Sequence, residues 1–210
     1  MRAVALGVAL LAVGCGGARY HDVLDPANVD LRPHGRLALM TFTIENAKGS
    51  LNALTTQKFS EAVLAAQPGL EMLELGAPDS VVRRAGETEF GPRSAKAIGE
   101  GNQAPVVFVG HMKVSNVKPS ASLASITQPR FEGKVTVELY VRLVSTTTGG
   151  TLWRASSTIT ESIGSLGMSG GLPYFSAKDP NEAYGPLVDY LVRQVTWDFR
   201  KTWRRVRVDT

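Results

Sequence analysis

Residues 134–160 read KVTVELYVRLVSTTTGGTLWRASSTIT, and this stretch decides the fold. Val135, Val137, Leu139, Val141 and Leu143 alternate with Thr136, Glu138, Tyr140 and Arg142. A period of two puts the first set on one side of an extended strand and the second on the other, the pattern of a half-buried strand. Thr146, Thr147, Thr148, Gly149 and Gly150 follow, the glycines permitting the positive φ of a tight reversal. Leu152 and Trp153 then open a second run that reaches Ile159. Together the two runs predict a long antiparallel hairpin that the remaining elements must cover.

Working outward, residues 105–114 predict a central strand, the apolar run 36–42 a buried one, and residues 70–75 another. Thr55 or Thr56 is placed to cap a helix whose Phe59, Ala62, Val63 and Ala66 share a face, and Pro68-Gly69 ends it. Pro78, Asp79 and Ser80 begin a short helix through Val82 and Ala85, and a second short helix covers residues 92–98. Residues 45–54 read as a polar loop. Residues 115–130, rich in Ser, Ala and Pro, and residues 162–171, with four glycines, read as flexible stretches. Asp179 at the N-cap, Pro180 at N1 and Glu182 at N3 start a long carboxy-terminal helix with Leu187, Leu191, Val195 and Phe199 at helical spacing. Pro186 predicts a kink or restart near its first turns. The order of these elements predicts an α/β sandwich: a mixed sheet with a long antiparallel hairpin and a carboxy-terminal helix.

The chain has 210 residues, of which 43% are hydrophobic and 20% charged, which fits one domain with a real core. Its formal charge of +4 is too small a surplus to argue for nucleic acid, and no aromatic and basic interleaving of the RNA-binding kind is present. Cys15 is the single cysteine, which excludes an intramolecular disulfide and any multi-cysteine metal site. Arg2 precedes an uncharged run over residues 3–13, about half the ~20 residues of a spanning helix and the length of a signal-peptide core. That run ends in Leu11-Ala12-Val13-Gly14-Cys15, which resembles a bacterial lipobox, with Ala12 and Val13 where Leu, then Ala or Ser, are commonest. The resemblance implies a lipid anchor on Cys15: a thioether-linked diacylglycerol and an amide-linked, palmitate-type acyl chain. Several buried chains give stable attachment where one is reversible. Gly16, where Asp would signal retention, implies the outer membrane. The expected organisation is a signal peptide over residues 1–14, an acylated cysteine with a flexible tether over residues 15–35 reaching roughly 25 Å, and one folded domain over residues 36–210.

Two further stretches carry a family resemblance. Residues 36–42 are similar to the opening strand of the CsgG-type and TolB amino-terminal domains. Tyr140-Val141-Arg142-Leu143-Val144-Ser145, the Thr-Gly turn and the Leu152-Trp153 restart are similar to that group's hairpin. The likeness covers roughly residues 36–160. It implies a periplasmic lipoprotein acting as an envelope scaffold or adaptor through protein binding, in the manner of lipoprotein activators of peptidoglycan synthases. The alternative within the same group is a subunit of an outer-membrane export channel, with residues 115–130 and 162–175 at the places of its inserted hairpins. Those stretches alternate only weakly, whereas a spanning strand needs about 9 to 11 residues with lipid-facing alternation. A homo-oligomer is compatible with either reading.

Candidate chemistry is sparse. Gly167-Met168-Ser169-Gly170-Gly171 matches G-x-S-x-G, yet that elbow needs a buried strand before it and a helix after it, and no histidine follows His111. A serine hydrolase using Ser169 is therefore a distant alternative, and no catalytic residue is expected. His21, His34 and His111 have no metal-ligand spacing, no phosphate-cradling loop is present, and neither a metal nor a cofactor is expected. Arg200, Lys201, Arg204, Arg205 and Arg207, with Trp197 and Trp203, read as the basic end of the final helix. They are the candidate contacts to anionic headgroups or an acidic partner.

Overall fold

A computed structural model describes residues 19–46, 50–115, 118–122, 130–169, 172–175 and 180–208. The signal-peptide run, Cys15, and the Asp179 cap lie outside the described residues. The chain divides into two compact units: Ala27–Arg200, and a smaller one drawn from Met1–Pro26 and Lys201–Thr210.

In the larger unit the elements run β2 (Arg36–Met40), β3 (Thr43–Glu45), α1 (Leu51–Ala66), β4 (Glu71–Gly76), α2 (Pro78–Arg84), α3 (Pro92–Asn102), β5 (Val106–Val114), β6 (Lys118–Ser122), β7 (Arg130–Ser145), β8 (Thr151–Ser169), β9 (Leu172–Phe175) and α4 (Pro180–Val195). The smaller unit pairs β1 (Arg19–Asp25) with β10 (Thr202–Val208). Among the described residues the main sheet has the order β4-β2-β5-β7-β8-β9, with β3 beside β5 and β6 beside β7. β2 is parallel to both β4 and β5, whereas β5, β7 and β8 are antiparallel neighbours. The fold is thus the expected mixed α/β architecture.

The predicted hairpin is present. Leu143 lies opposite Trp153 and Val144 opposite Thr151, and Gly149 sits at φ +72° in the turn. Val135, Val137, Leu139, Val141 and Leu143 are all at most 1% exposed, so the alternation does point one row into the core. α1 and α4 cover this side, with Leu51, Phe59, Val63, Leu187, Leu191 and Val195 packed on it. β2, flanked on both sides by parallel strands, buries Leu37, Ala38, Leu39 and Met40 in an unbroken run, as a strand covered on both faces must. α2 and α3 cover the other side around Ala38, Met40, Val107 and Val144.

Several local expectations change. α1 begins at Leu51 inside the stretch read as loop, and Thr55 and Thr56 lie within the helix. Their hydroxyls donate to the Leu51 and Asn52 carbonyls, and Thr56 Oγ1 accepts the Phe42 amide at 2.8 Å. Residues 115–130 and 162–175 contain strands β6, the end of β8, and β9 where flexible stretches were expected. α4 runs through Pro186 as one helix and stops at Val195, where Thr196 turns its hydroxyl back to the Val192 carbonyl. A 3-10 turn, Trp197–Phe199, follows. Arg204, Arg205 and Arg207 therefore lie on strand β10, not on a helix, and its partner β1 lies in the stretch read as a tether.

Gln67, 5% exposed at the end of α1, fastens three segments. Its Oε1 accepts the Leu31 amide at 2.7 Å, and its Nε2 donates to the carbonyls of Val29 and Phe199. Gln67→Leu keeps the volume and orphans all three groups. It is expected to destabilise the protein by at least about 3 kcal/mol in chemical denaturation, since each of the three buried polar groups left unpaired costs on the order of 1–3 kcal/mol. Asp198 closes the same region by accepting from Asn28 Nδ2 at 3.0 Å and from Trp153 Nε1 at 3.0 Å, and these bonds hold its carboxyl below the ordinary aspartate range. A depressed folded-state value contributes stability above the unfolded value of about 3.9 and loses it as pH falls through the lower folded one. In denaturation curves taken below about pH 4, Asp198→Asn is expected to lose less stability on acidification than the parent protein does.

Candidate functional site

The register that buries one row of β7 presents the other outward. Tyr140 stands opposite His111 on β5, and His111 opposite Thr43 on β3; one step along, Arg142 stands opposite Val109. These two rows of neighbours form the floor of a cleft of about 230 Å³, walled by Met40, Pro78 and Phe90. Phe90, in the segment between α2 and α3, lies under the Arg142 guanidinium with 5.5 Å between the charge centre and the ring centroid, a cation–π arrangement. Gly110 completes the floor. A side chain there would point away from the cleft, to the buried side, and meet the Phe42 ring at 2.6 Å, so glycine lets that core ring pack directly under the strand backbone.

The polar rim is a column across strands. Thr43 Oγ1 and His111 Nδ1 are 2.8 Å apart, and Glu45 Oε2 lies 3.6 Å from His111 Nε2 and 3.9 Å from Lys113 Nζ. A carboxylate, an imidazole and a hydroxyl in sequence resemble a relay, but the His111 and Glu45 side chains are 45% and 48% exposed. The Thr43 hydroxyl also faces the Gly110 carbonyl at 3.4 Å. This geometry is a solvated surface column, whereas an activated nucleophile works where water is excluded. Chemically the cleft offers an apolar, aromatic floor with a fixed cation and several hydrogen-bonding groups, which suits binding.

Beside it lies an open strand edge. From Leu152 to Glu161, β8 pairs with β7 on one side, and among the described residues no strand pairs with its other side until β9 joins at Leu166. Arg154, Ser156 and Thr158 are exposed on the outward face of this edge strand.

The sequence-predicted contacts fall apart into two units. Arg200, in the larger unit, donates to Thr196 Oγ1 at 3.0 Å. Lys201, Arg204, Arg205 and Arg207 belong to the smaller unit, where Arg204 pairs with Asp25 at 3.0 Å and Arg205 with Asp22 at 3.6 Å. Ser169 is the last residue of β8 and pairs with Leu172 of β9, so a strand follows it where a nucleophile elbow would require a helix. Among the described residues no group of three or more His, Cys, Asp or Glu could hold a metal ion, and no helix is long and apolar enough to cross a membrane. The cleft itself was not read from the sequence. Its signal is present in Tyr140 and Arg142 on the outward side of β7, but Thr43, Phe90 and His111 join them only through pairing across strands.

No family model matches this chain, and no curated protein matches it in sequence. Among solved structures it is similar to the PelC dodecamer from Paraburkholderia phytofirmans, at 12% identity over 87% of this chain and 98% of that one, with a TM-score of 0.47. It is similar to lipoprotein GNA1162 from Neisseria meningitidis, at 16% identity over 61% and 83%, with a TM-score of 0.40. It is also similar to the LpoB C-terminal domain from Salmonella enterica, at 13% identity over 60% and 83%, with a TM-score of 0.37. Likenesses of this degree assign neither an activity nor a partner.

The Arg142–Phe90 contact is open to a direct check. A double-mutant cycle with Arg142→Ala and Phe90→Ala, read by chemical denaturation, is expected to give a coupling of about 0.5–1 kcal/mol, the range of a partly exposed cation–π pair.

Proposed function

We propose that this protein is an outer-membrane lipoprotein, anchored through acylated Cys15, that presents its α/β domain to the periplasm as an envelope scaffold or adaptor and acts by binding other envelope proteins. The anchoring half of this reading rests on the lipobox-like residues 11–15 after an uncharged run of signal-peptide length. The binding half rests on one observation: the outward face of β7 and β8, with its aromatic and arginine-lined cleft, runs directly into an open strand edge. Such an edge offers main-chain groups to a partner strand, and the cleft offers pockets for its side chains. The CsgG and TolB-N-like hairpin motifs at residues 140–153 agree with this role.

A second reading, an export-channel subunit, is favoured by strand length. β7 and β8 span 16 and 19 residues, and their far ends pair with β6 and β9. Homo-oligomerisation belongs to that reading and is compatible with the first.

A photo-crosslinking residue at Tyr140 or Arg154 in cells is expected to yield discrete adducts with another envelope protein, while the same residue at Gln57, exposed on α1, yields none. Adducts consisting only of this chain with itself would favour the channel, and none from any position would overturn the adaptor reading. Fractionation checks the anchor: Cys15→Ala is expected to leave the outer-membrane fraction.

A further inference from the structure

The β1–β10 ribbon has two unlike faces. Cross-strand partners share a face, so Tyr20 with Arg207, Asp22 with Arg205, and Leu24 with Trp203 project together. All six are exposed, whereas on the opposite face Val23, Asp25, Thr202 and Val206 are half-buried and only His21 and Arg204 are exposed among the residues whose burial is described. Tyr20, Leu24 and Trp203 are 56%, 44% and 70% exposed, and they make up three of the seven large hydrophobic side chains exposed among the described residues. Single exposed apolar residues need no explanation, but three on one face, with the Asp22–Arg205 ion pair between Tyr20 and the Leu24–Trp203 pair, make that face a mixed aromatic and charged patch.

What covers the patch follows from its charge and its place in the chain. On the patch face Arg205 and Arg207 stand with one carboxylate, Asp22, which lies 3.6 Å from Arg205, and the described part of the ribbon unit as a whole holds five cations against two carboxylates. Tyr20 is only five residues beyond Cys15, so even a fully extended chain separates them by no more than about 18 Å. An acyl chain on Cys15 therefore holds the start of β1 within reach of the headgroup layer. Trp, Tyr and Leu beside Arg is the composition of an interfacial patch: the rings lie at headgroup depth and the guanidinium groups meet phosphate.

We propose that the Tyr20, Leu24, Trp203, Arg205 and Arg207 face is a membrane-interface patch that seats the ribbon on an anionic phospholipid surface, as a second attachment beside the lipid anchor. This proposal rests on the reading of Cys15 as acylated. It also takes residues 19–25, which form β1, out of the stretch expected to be a flexible tether.

The test uses the mature acylated protein reconstituted in vesicles of phosphatidylcholine and phosphatidylglycerol containing dibrominated phosphatidylcholine. Trp197, also exposed, is removed by Trp197→Phe, and Trp153 is buried. Bromolipid is expected to quench the emission of the Trp197→Phe protein, and the quenching is expected to be lost in Trp197→Phe/Trp203→Phe. It is also expected to weaken in Arg205→Gln/Arg207→Gln and in vesicles without phosphatidylglycerol. Circular dichroism confirms that each variant is folded. Vesicle-bound, acylated protein whose emission is unquenched overturns the patch alone, and is the result expected if a protein partner covers this face. Protein that carries no acyl mass and stays off the vesicles overturns the anchor and the patch together.

Discussion

The ring of Phe108, near the start of the central strand β5, is the contact on which the larger unit depends. It meets Phe59 of α1 at 5.0 Å, Phe199 of the 3-10 turn at 5.9 Å and Trp153 of β8 at 6.2 Å, mostly edge to face. Phe59 passes the contact on to Phe42, and Trp153 packs against Phe199 at 4.5 Å. One ring thus ties a helix, the hairpin and the end of the chain's last helical segment to the central strand. Such tilted and edge-on pairs add to the burial of some of the largest side chains in the core. Trp153 satisfies its ring N–H through Asp198, so this cluster also fixes the 3-10 turn that closes the larger unit.

Placing the large rings on one side shapes the other. α1 and α4 are both committed to the Phe108 side of the hairpin, and α2 and α3 cover the opposite side only around Ala38, Met40, Val107 and Val144. Farther along β5 and β7 the outward rows stay uncovered. The Phe42 ring packs under Gly110 on the core side, and on the other side Tyr140, Arg142 and Phe90 surround the hollow.

The sequence carried the parts of this fold whose physics is local. The β7 alternation, the Gly149 turn and the buried run of β2 all declare themselves within a dozen residues, because period and turn chemistry are set by near neighbours. The β1–β10 ribbon joins residues some 180 positions apart, and nothing near Tyr20 announces Arg207. Thr202, Arg204, Val206 and Val208 do alternate with Trp203, Arg205 and Arg207, but a run of arginines after a helical stripe reads equally well as a cationic helix end. The start of α1 was hidden for a related reason: Thr55 and Thr56 are favoured caps, yet here they bond back to the preceding turn. The cleft was half legible, through Tyr140 and Arg142, and the rest depended on register between β3, β5 and β7.

An adaptor and a channel subunit differ most plainly in how many copies they need. An adaptor presents its cleft and its β8 edge to other proteins, whereas a channel must close a ring of its own copies. The molar mass of the mature acylated protein in detergent, measured by light scattering on a sizing column, separates the two directly. The adaptor account predicts a monomer or dimer; a discrete ring-sized assembly would contradict it.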